Sequence, residues 1–234
     1  MKHLIFTVLL SLFSVQAMAA GGGVHLDHTD IDITDQASLQ RGAKTFVNYC
    51  LSCHQAAYMR YNRMAKDLGL TDDQVKDNLM FASDKIGDTM TIAMRPEDAK
   101  KWFGVTPPDL SVIARSRGTD WLYTYLRTFY LDSSRPVGTN NLAFKDVGMP
   151  HVLWEQQGYQ TKDEESGELI APENAPLSTH EYNQLVHDLV NFLAYMSEPS
   201  KLQRMALAKW VLLYLIVFFL IAYPLKKAFW KDIH

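Results

Sequence analysis

With 234 residues, 47 % of them hydrophobic, the chain is long enough for one domain with its own core, and its two cysteines exclude a four-thiolate structural zinc site. Lys and Arg number 23 against 26 Asp and Glu, a net of −3, but residues 21–200 hold 16 basic and 25 acidic side chains, a net of −9, and the two ends carry the remaining +6. A body that acidic repels nucleic acid and steers basic partners.

Met1-Lys2-His3 is a short basic start, Leu4 to Phe13 an apolar run, and Ala17-Met18-Ala19 supplies small residues at A-x-A spacing. Residues 1–20 therefore read as a secretory signal peptide, with cleavage after Ala19 or Ala20. Asp35 then caps a predicted helix whose apolar face, Leu39, Gly42, Ala43, Phe46, Val47 and Cys50, recurs at i, i+3, i+4. That helix runs into Cys50-Leu51-Ser52-Cys53-His54, which uses both cysteines. C-x-x-C-H is the covalent attachment pattern of a c-type haem. Residues three and four apart share a helix face, so both thiols reach one porphyrin edge and the imidazole of His54 follows toward the iron. A thioredoxin-like pair would want a βαβ context that is not found. A plain disulfide is the strongest competing reading for an exported chain.

The haem needs a second axial ligand or an open position. Methionines 59, 64, 80, 90, 94, 149 and 196 and histidines 25, 28, 151, 180 and 187 are available in residues 21–200. Most methionines are core filler. Met149 differs, because Val147-Gly148-Met149-Pro150 restricts the backbone around it; His151 competes from two residues on. Thr106-Pro107-Pro108-Asp109 reads as a helix start, with the helix running from Leu110 toward Tyr130. Stretches 131–148 and 155–178 are irregular, rich in Gly, Pro, Asn and charge. A further helix over Thr179–Met196 puts Leu185, Val186, Leu189, Phe192, Leu193 and Met196 on one side, and Gly42 with Phe46 facing Phe192 or Tyr195 suggests a close crossing of the two helices.

From Trp210 to Leu225 no residue is charged. Sixteen residues rise about 24 Å, and extension back through Met205–Ala208 reaches the roughly 30 Å of a hydrocarbon core. Residues 201–225 are thus expected to be a transmembrane anchor and 226–234 a cytoplasmic tail; a buried core helix is the alternative. Flanking lysines and arginines are balanced, so the signal peptide sets the orientation, with the body outside the cytoplasm.

The order of elements resembles the cytochrome c fold. The resemblance narrows at Cys50–His54 followed by Tyr58 and Tyr61, Arg95-Pro96-Glu97, Pro107-Pro108-Asp109-Leu110-Ser111 with Arg115, Gly148-Met149-Pro150 and a single C-terminal span. Together these resemble the cytochrome c1 family, the haem subunit of the cytochrome bc1 complex (ubiquinol–cytochrome c reductase), in its compact bacterial form. The resemblance implies a mainly α, cytochrome c-like haem domain over residues 21–200, with long irregular loops and one C-terminal transmembrane helix. It implies one covalent haem c on Cys50 and Cys53, with His54 and Met149 as iron ligands. Arg115 would lie near a haem propionate, and a Pro-Pro carbonyl would accept from His54 Nδ1–H. It further implies an electron carrier rather than an enzyme by itself, placed with cytochrome b and a Rieske iron–sulfur subunit in a dimeric complex. That complex would sit in the bacterial inner membrane, with the haem domain periplasmic and a cytochrome c as acceptor. Two other classes share the haem motif: a tail-anchored cytochrome c feeding an oxidase, and a haem peroxidase with an open iron position.

Overall fold

The computed structural model describes residues 24–232, so the expected signal peptide lies outside the described residues. Helix α1, Gln36–Thr45, starts where the Asp35 carboxylate accepts from Ser38 N at 3.0 Å, satisfying an orphan N–H of the first turn. It passes without interruption into a π-helical turn, Phe46–Cys50, in which Leu51 N donates to Phe46 O. The expected apolar stripe is the buried one: Leu39, Ala43, Phe46, Val47 and Cys50 are all in the core.

Its partner is a long helix near the end of the head. Short elements separate the two in the chain. Strand β1, Ala56–Arg60, pairs antiparallel with β2, Thr89–Met90, through an irregular register. Between these strands lie helices α2, Tyr61–Asp67, and α3, Asp72–Leu79, the latter opened by a Thr71–Gln74 capping box. Helix α4, Pro96–Phe103, follows with proline in its first turn and ends at Gly104, which is left-handed at φ 76°.

The single helix expected over Leu110–Tyr130 is two helices. Pro107 and Pro108 stay extended, because Asp109 does not cap a helix there: its carboxylate accepts from Ser111 N at 2.7 Å and from Ala57 N at 3.2 Å, fastening the segment to the stretch after His54. Helix α5, Ile113–Arg117, then stops at Gly118, whose φ of 88° and ψ of 152° no helix accommodates, and α6, Thr119–Arg127, begins afresh. Stretches expected to be irregular contain two hairpins. Strand β3, Phe129–Leu131, pairs with β4, Thr139–Asn141, in the register Phe129↔Asn141, Tyr130↔Asn140, Leu131↔Thr139; β5, Thr161–Lys162, pairs with β6, Leu169–Ile170. A four-residue helix α7, Trp154–Gln157, lies between them.

Helix α8, Thr179–Ser197, carries a Ser178–Glu181 capping box and crosses α1. The crossing depends on Gly42. A Cβ there would fall far inside contact distance of the Asp188 carbonyl oxygen and 2.7 Å from Phe192 Cβ, while the Phe46 and Phe192 rings sit 5.6 Å apart beside it. The buried Asp188 side chain accepts from Arg41 Nε at 2.6 Å and Ser38 Oγ at 2.6 Å. Burial pushes that carboxyl up, but the Arg41 and Ser38 hydrogen bonds outweigh it and hold the group below its ordinary range, ionised in place. Residues 24–34 strap the same helices from outside: Asp27 N donates to Thr124 Oγ1 and the Asp27 carboxylate meets Arg127 at 2.6 Å, while His187 reaches Asp30 O and Asn191 reaches Asp32 O, both at 2.8 Å.

Helix α9, Lys201–Phe229, has a mean hydropathy of 2.4 over its most apolar 18 residues, and none of that window is buried. Twenty-nine residues span about 44 Å, more than a hydrocarbon core requires. No residue of the helix is buried, which removes the alternative of a core helix.

Candidate haem site

A cavity of about 570 Å³ opens inside the head, within the roughly 300–1,000 Å³ range of cofactor and ligand pockets. Its lining is mostly apolar, with α5 and α6 supplying Ile113, Leu122 and Leu126 and α8 supplying Leu189 and Leu193. Cys50, Cys53 and His54 all line it. The turn that presents them is closed by Cys53 N and His54 N, both donating to Cys50 O, at 3.1 and 2.8 Å. No disulfide joins Cys50 to Cys53, so the disulfide reading does not hold. Burial pushes the Cys50 thiol up to about 12.

His54 Nδ1 lies 2.8 Å from Pro108 O, and Leu110 N returns a bond to Gln55 O at 2.9 Å. The extended Pro-Pro segment therefore serves the histidine: with Nδ1–H donated to a carbonyl, Nε2 is left as the basic nitrogen. Burial lowers the His54 pKa, with the Pro108 bond opposing it, and the ring is neutral at neutral pH, the form that binds metals.

Met149 lines the same cavity, and it is the one methionine that does so among the described residues. Methionines 59, 64, 80, 90 and 196 are buried in the core. His151, the competing candidate, is also buried but does not line the cavity; its ring stacks on Phe129 at 5.1 Å and 9°, and burial lowers its pKa to about 4. The loop bearing Met149 has no regular structure, and two buried asparagines fix it. Asn141 Oδ1 accepts from Ala143 N and Phe144 N at 2.9 and 3.0 Å, and its Nδ2 donates to Tyr125 O at 2.7 Å. Asn140 Oδ1 accepts from Asp146 N at 2.8 Å, at the one non-glycine residue with positive φ among those described, 61°. Gly148 passes close to the end of α4, where a Cβ would meet Val105 at 3.0 Å and the Phe103 carbonyl oxygen at 3.3 Å. The Tyr125 hydroxyl donates to Met149 Sδ at 3.3 Å, and burial pushes that phenol up, keeping its proton on.

Arg115 is not in the cavity. It is exposed, and Arg117 lines the cavity instead, with its guanidinium 5.0 Å from the Trp121 ring and 5.8 Å from Phe144. Two residues along a helix turn a side chain by about 200°, so the two arginines cannot share a face. Lys145 joins Arg117 in the lining. Sequence reasoning missed Arg117, Lys145, Tyr125 and the Asn140-Asn141 pair; only Arg117 carried a usable signal, its phase relative to Ile113.

Two thiols, a neutral imidazole with one nitrogen tied back, a thioether and two cations around a mostly apolar cavity are a donor set that fits a covalently attached haem; the one carboxylate in the lining, Asp146, is paired with Arg135 at 3.2 Å. Residues 28–233 match the Cytochrome C1 family. The chain belongs to the cytochrome c1 family. It is 49 % identical to the cytochrome c1 of Allochromatium vinosum over the whole of both chains. It is 26 % identical to that of Rhodospirillum rubrum, covering 93 % of this chain and 92 % of the other. A Nitrosomonas europaea protein named ammonia monooxygenase gamma subunit is 48 % identical, over all of this chain and 98 % of its own. As a cytochrome c1, the chain is a haem c-bearing electron-transfer subunit of the cytochrome bc1 complex.

Proposed function

We propose that Cys50 and Cys53 hold the haem by thioether links, that His54 Nε2 and Met149 Sδ are its axial ligands, and that Arg117 and Lys145 offset its propionate charge. The supporting observation is one cavity lined by both thiols, the tied-back imidazole and a single thioether. Bound there, the group supplies reversible one-electron chemistry at iron. The protein does the rest. Pro108 O fixes the ring and tautomer of His54 and raises the basicity of its Nε2. The apolar walls keep water from the site, and His/Met ligation favours a high potential. The chain then accepts one electron from a Rieske iron–sulfur partner and passes it to a cytochrome c, without being an enzyme by itself.

The same reading gives the layout. Residues 1–20 direct export, 21–200 form the haem domain on the periplasmic face of the bacterial inner membrane, 201–225 anchor it, and 226–234 remain cytoplasmic. Its partners are cytochrome b and the Rieske subunit of a dimeric complex. Purification through this subunit tests the assembly: cytochrome b and a Rieske protein should come with it, and isolation with an oxidase alone would reject the reading. Met149→Ala tests the ligand set. The reduced variant should bind carbon monoxide, which the native protein resists, and its potential should fall; an unchanged spectrum removes Met149 from the ligands.

A further inference from the structure

The hydroxyl of Tyr125 lies 3.3 Å from Met149 Sδ and has no other hydrogen-bond partner among the described residues. Its position is fixed from several directions. The ring stacks on Trp121 at 4.9 Å and 10° and meets Phe129 edge-on at 5.1 Å. Its backbone carbonyl accepts from Asn141 Nδ2, and the other end of that same amide accepts from Ala143 N and Phe144 N. One side chain therefore ties the tyrosine to the loop that carries the methionine, and the O–H···S pair is held from both ends.

A thioether sulfur has two lone pairs and is a weak acceptor in water, where better donors compete. In a cavity with apolar walls that competition is gone and a neutral hydrogen bond gains strength. On the reading of Met149 as an iron ligand, we infer that Tyr125 is a positioning residue: it occupies one lone pair of Met149 Sδ, so that only the other is presented to the iron. The O–H dipole points its positive end at the sulfur and draws electron density from it. Less density donated to the iron weakens the oxidised state more than the reduced one, so the tyrosine raises the potential.

The experiment compares native protein with Tyr125→Phe, each haem-loaded and purified in the complex, by potentiometric titration and by circular dichroism of the ferric sulfur–iron charge-transfer band. Phenylalanine keeps the stacked ring and removes only the donor. The variant should retain the band but alter its dichroism, and its potential should fall by about the worth of one neutral hydrogen bond, roughly fivefold in the reduced-to-oxidised ratio or ~40 mV at 59 mV per tenfold. A fluorinated tyrosine at position 125, a stronger donor on the same ring, should shift the potential upward. Opposite signs from two side chains of similar shape cannot come from packing. A band present in both proteins with potential and dichroism unchanged overturns the inference alone. A native protein without the band overturns the ligand reading and the inference with it.

Discussion

The segments that bring Cys50, Cys53 and His54 to the cavity and the one that brings Met149 are held by different physics. The first rides on α1 and its π-turn, pressed onto α8 at a glycine and locked by side-chain volume and the buried Asp188 cluster. The second rides on a loop whose shape comes from polar satisfaction: Asn140 and Asn141 take up N–H groups that no ladder would pair. Volume complementarity couples a whole helix at once, whereas amide bonds act one backbone group at a time. Damage to the helical part should therefore unfold the head, and damage to the loop should release one side chain.

The harshest test of that contrast is Gly42→Val. The new atoms have backbone, not a flexible side chain, to displace, so the variant should lose about 3 kcal/mol or more, read as a collapse of the thermal transition and of haem incorporation. A well-folded variant would mean the crossing is softer than its geometry. Asn141→Ala comes next. It strands the Ala143 and Phe144 N–H groups and the Tyr125 carbonyl, at about 1–3 kcal/mol for a buried group left unpaired. The cost should appear locally, as carbon monoxide binding to the reduced protein and faster amide exchange over residues 142–149, with haem still attached. Global unfolding in that variant would erase the distinction.

The smallest effect concerns the strap over α6 and α8. His28 sits 3.1 Å from both Asp120 and Asp30, and those two carboxylates, Asp120 foremost, raise its pKa above 6.5. A raised histidine contributes its stability below the unfolded value and loses it as pH climbs through the folded one. Amide exchange at Thr29–Thr34, corrected for its intrinsic base-catalysed rise, should therefore quicken as pH climbs above 6.5, and His28→Gln should flatten the corrected profile. Quickening that spreads into α1 would show that the strap belongs to the helical part.

How much of this the sequence discloses follows from the same contrast. The stripe of α1 and the face of α8 are local periodicities, and Gly42 opposite Phe192 could be anticipated from them. The attachment motif is local too, as is the Gly-Met-Pro setting of Met149. Pairings of two or three residues, such as Tyr130 with Asn140, are too short to show an alternation. Thr106–Asp109 reads locally as a helix start, whereas the bond that holds Asp109 in place comes from Ala57, 52 residues away, which no local pattern discloses. Placing the helix start at Leu110 rather than Ile113 left the face of Arg115 undetermined, and with it the cation that enters the cavity. The roles of Asn141 and Tyr125 are wholly non-local.

The π-turn at Phe46–Cys50 has a bearing on how the chain tolerates length change. Such a turn is an α-helix carrying a surplus residue, and one residue corresponds to about 100° of rotation. Upstream, the phase of the helix is indexed to α8 through Gly42; downstream, it is indexed to the cavity through Cys50 and His54. The wide turn reconciles the two. A one-residue deletion between Gly42 and Cys50 would leave the first index satisfied and swing the second off target, while the same deletion among the exposed residues 164–166 would only shorten a hairpin tip.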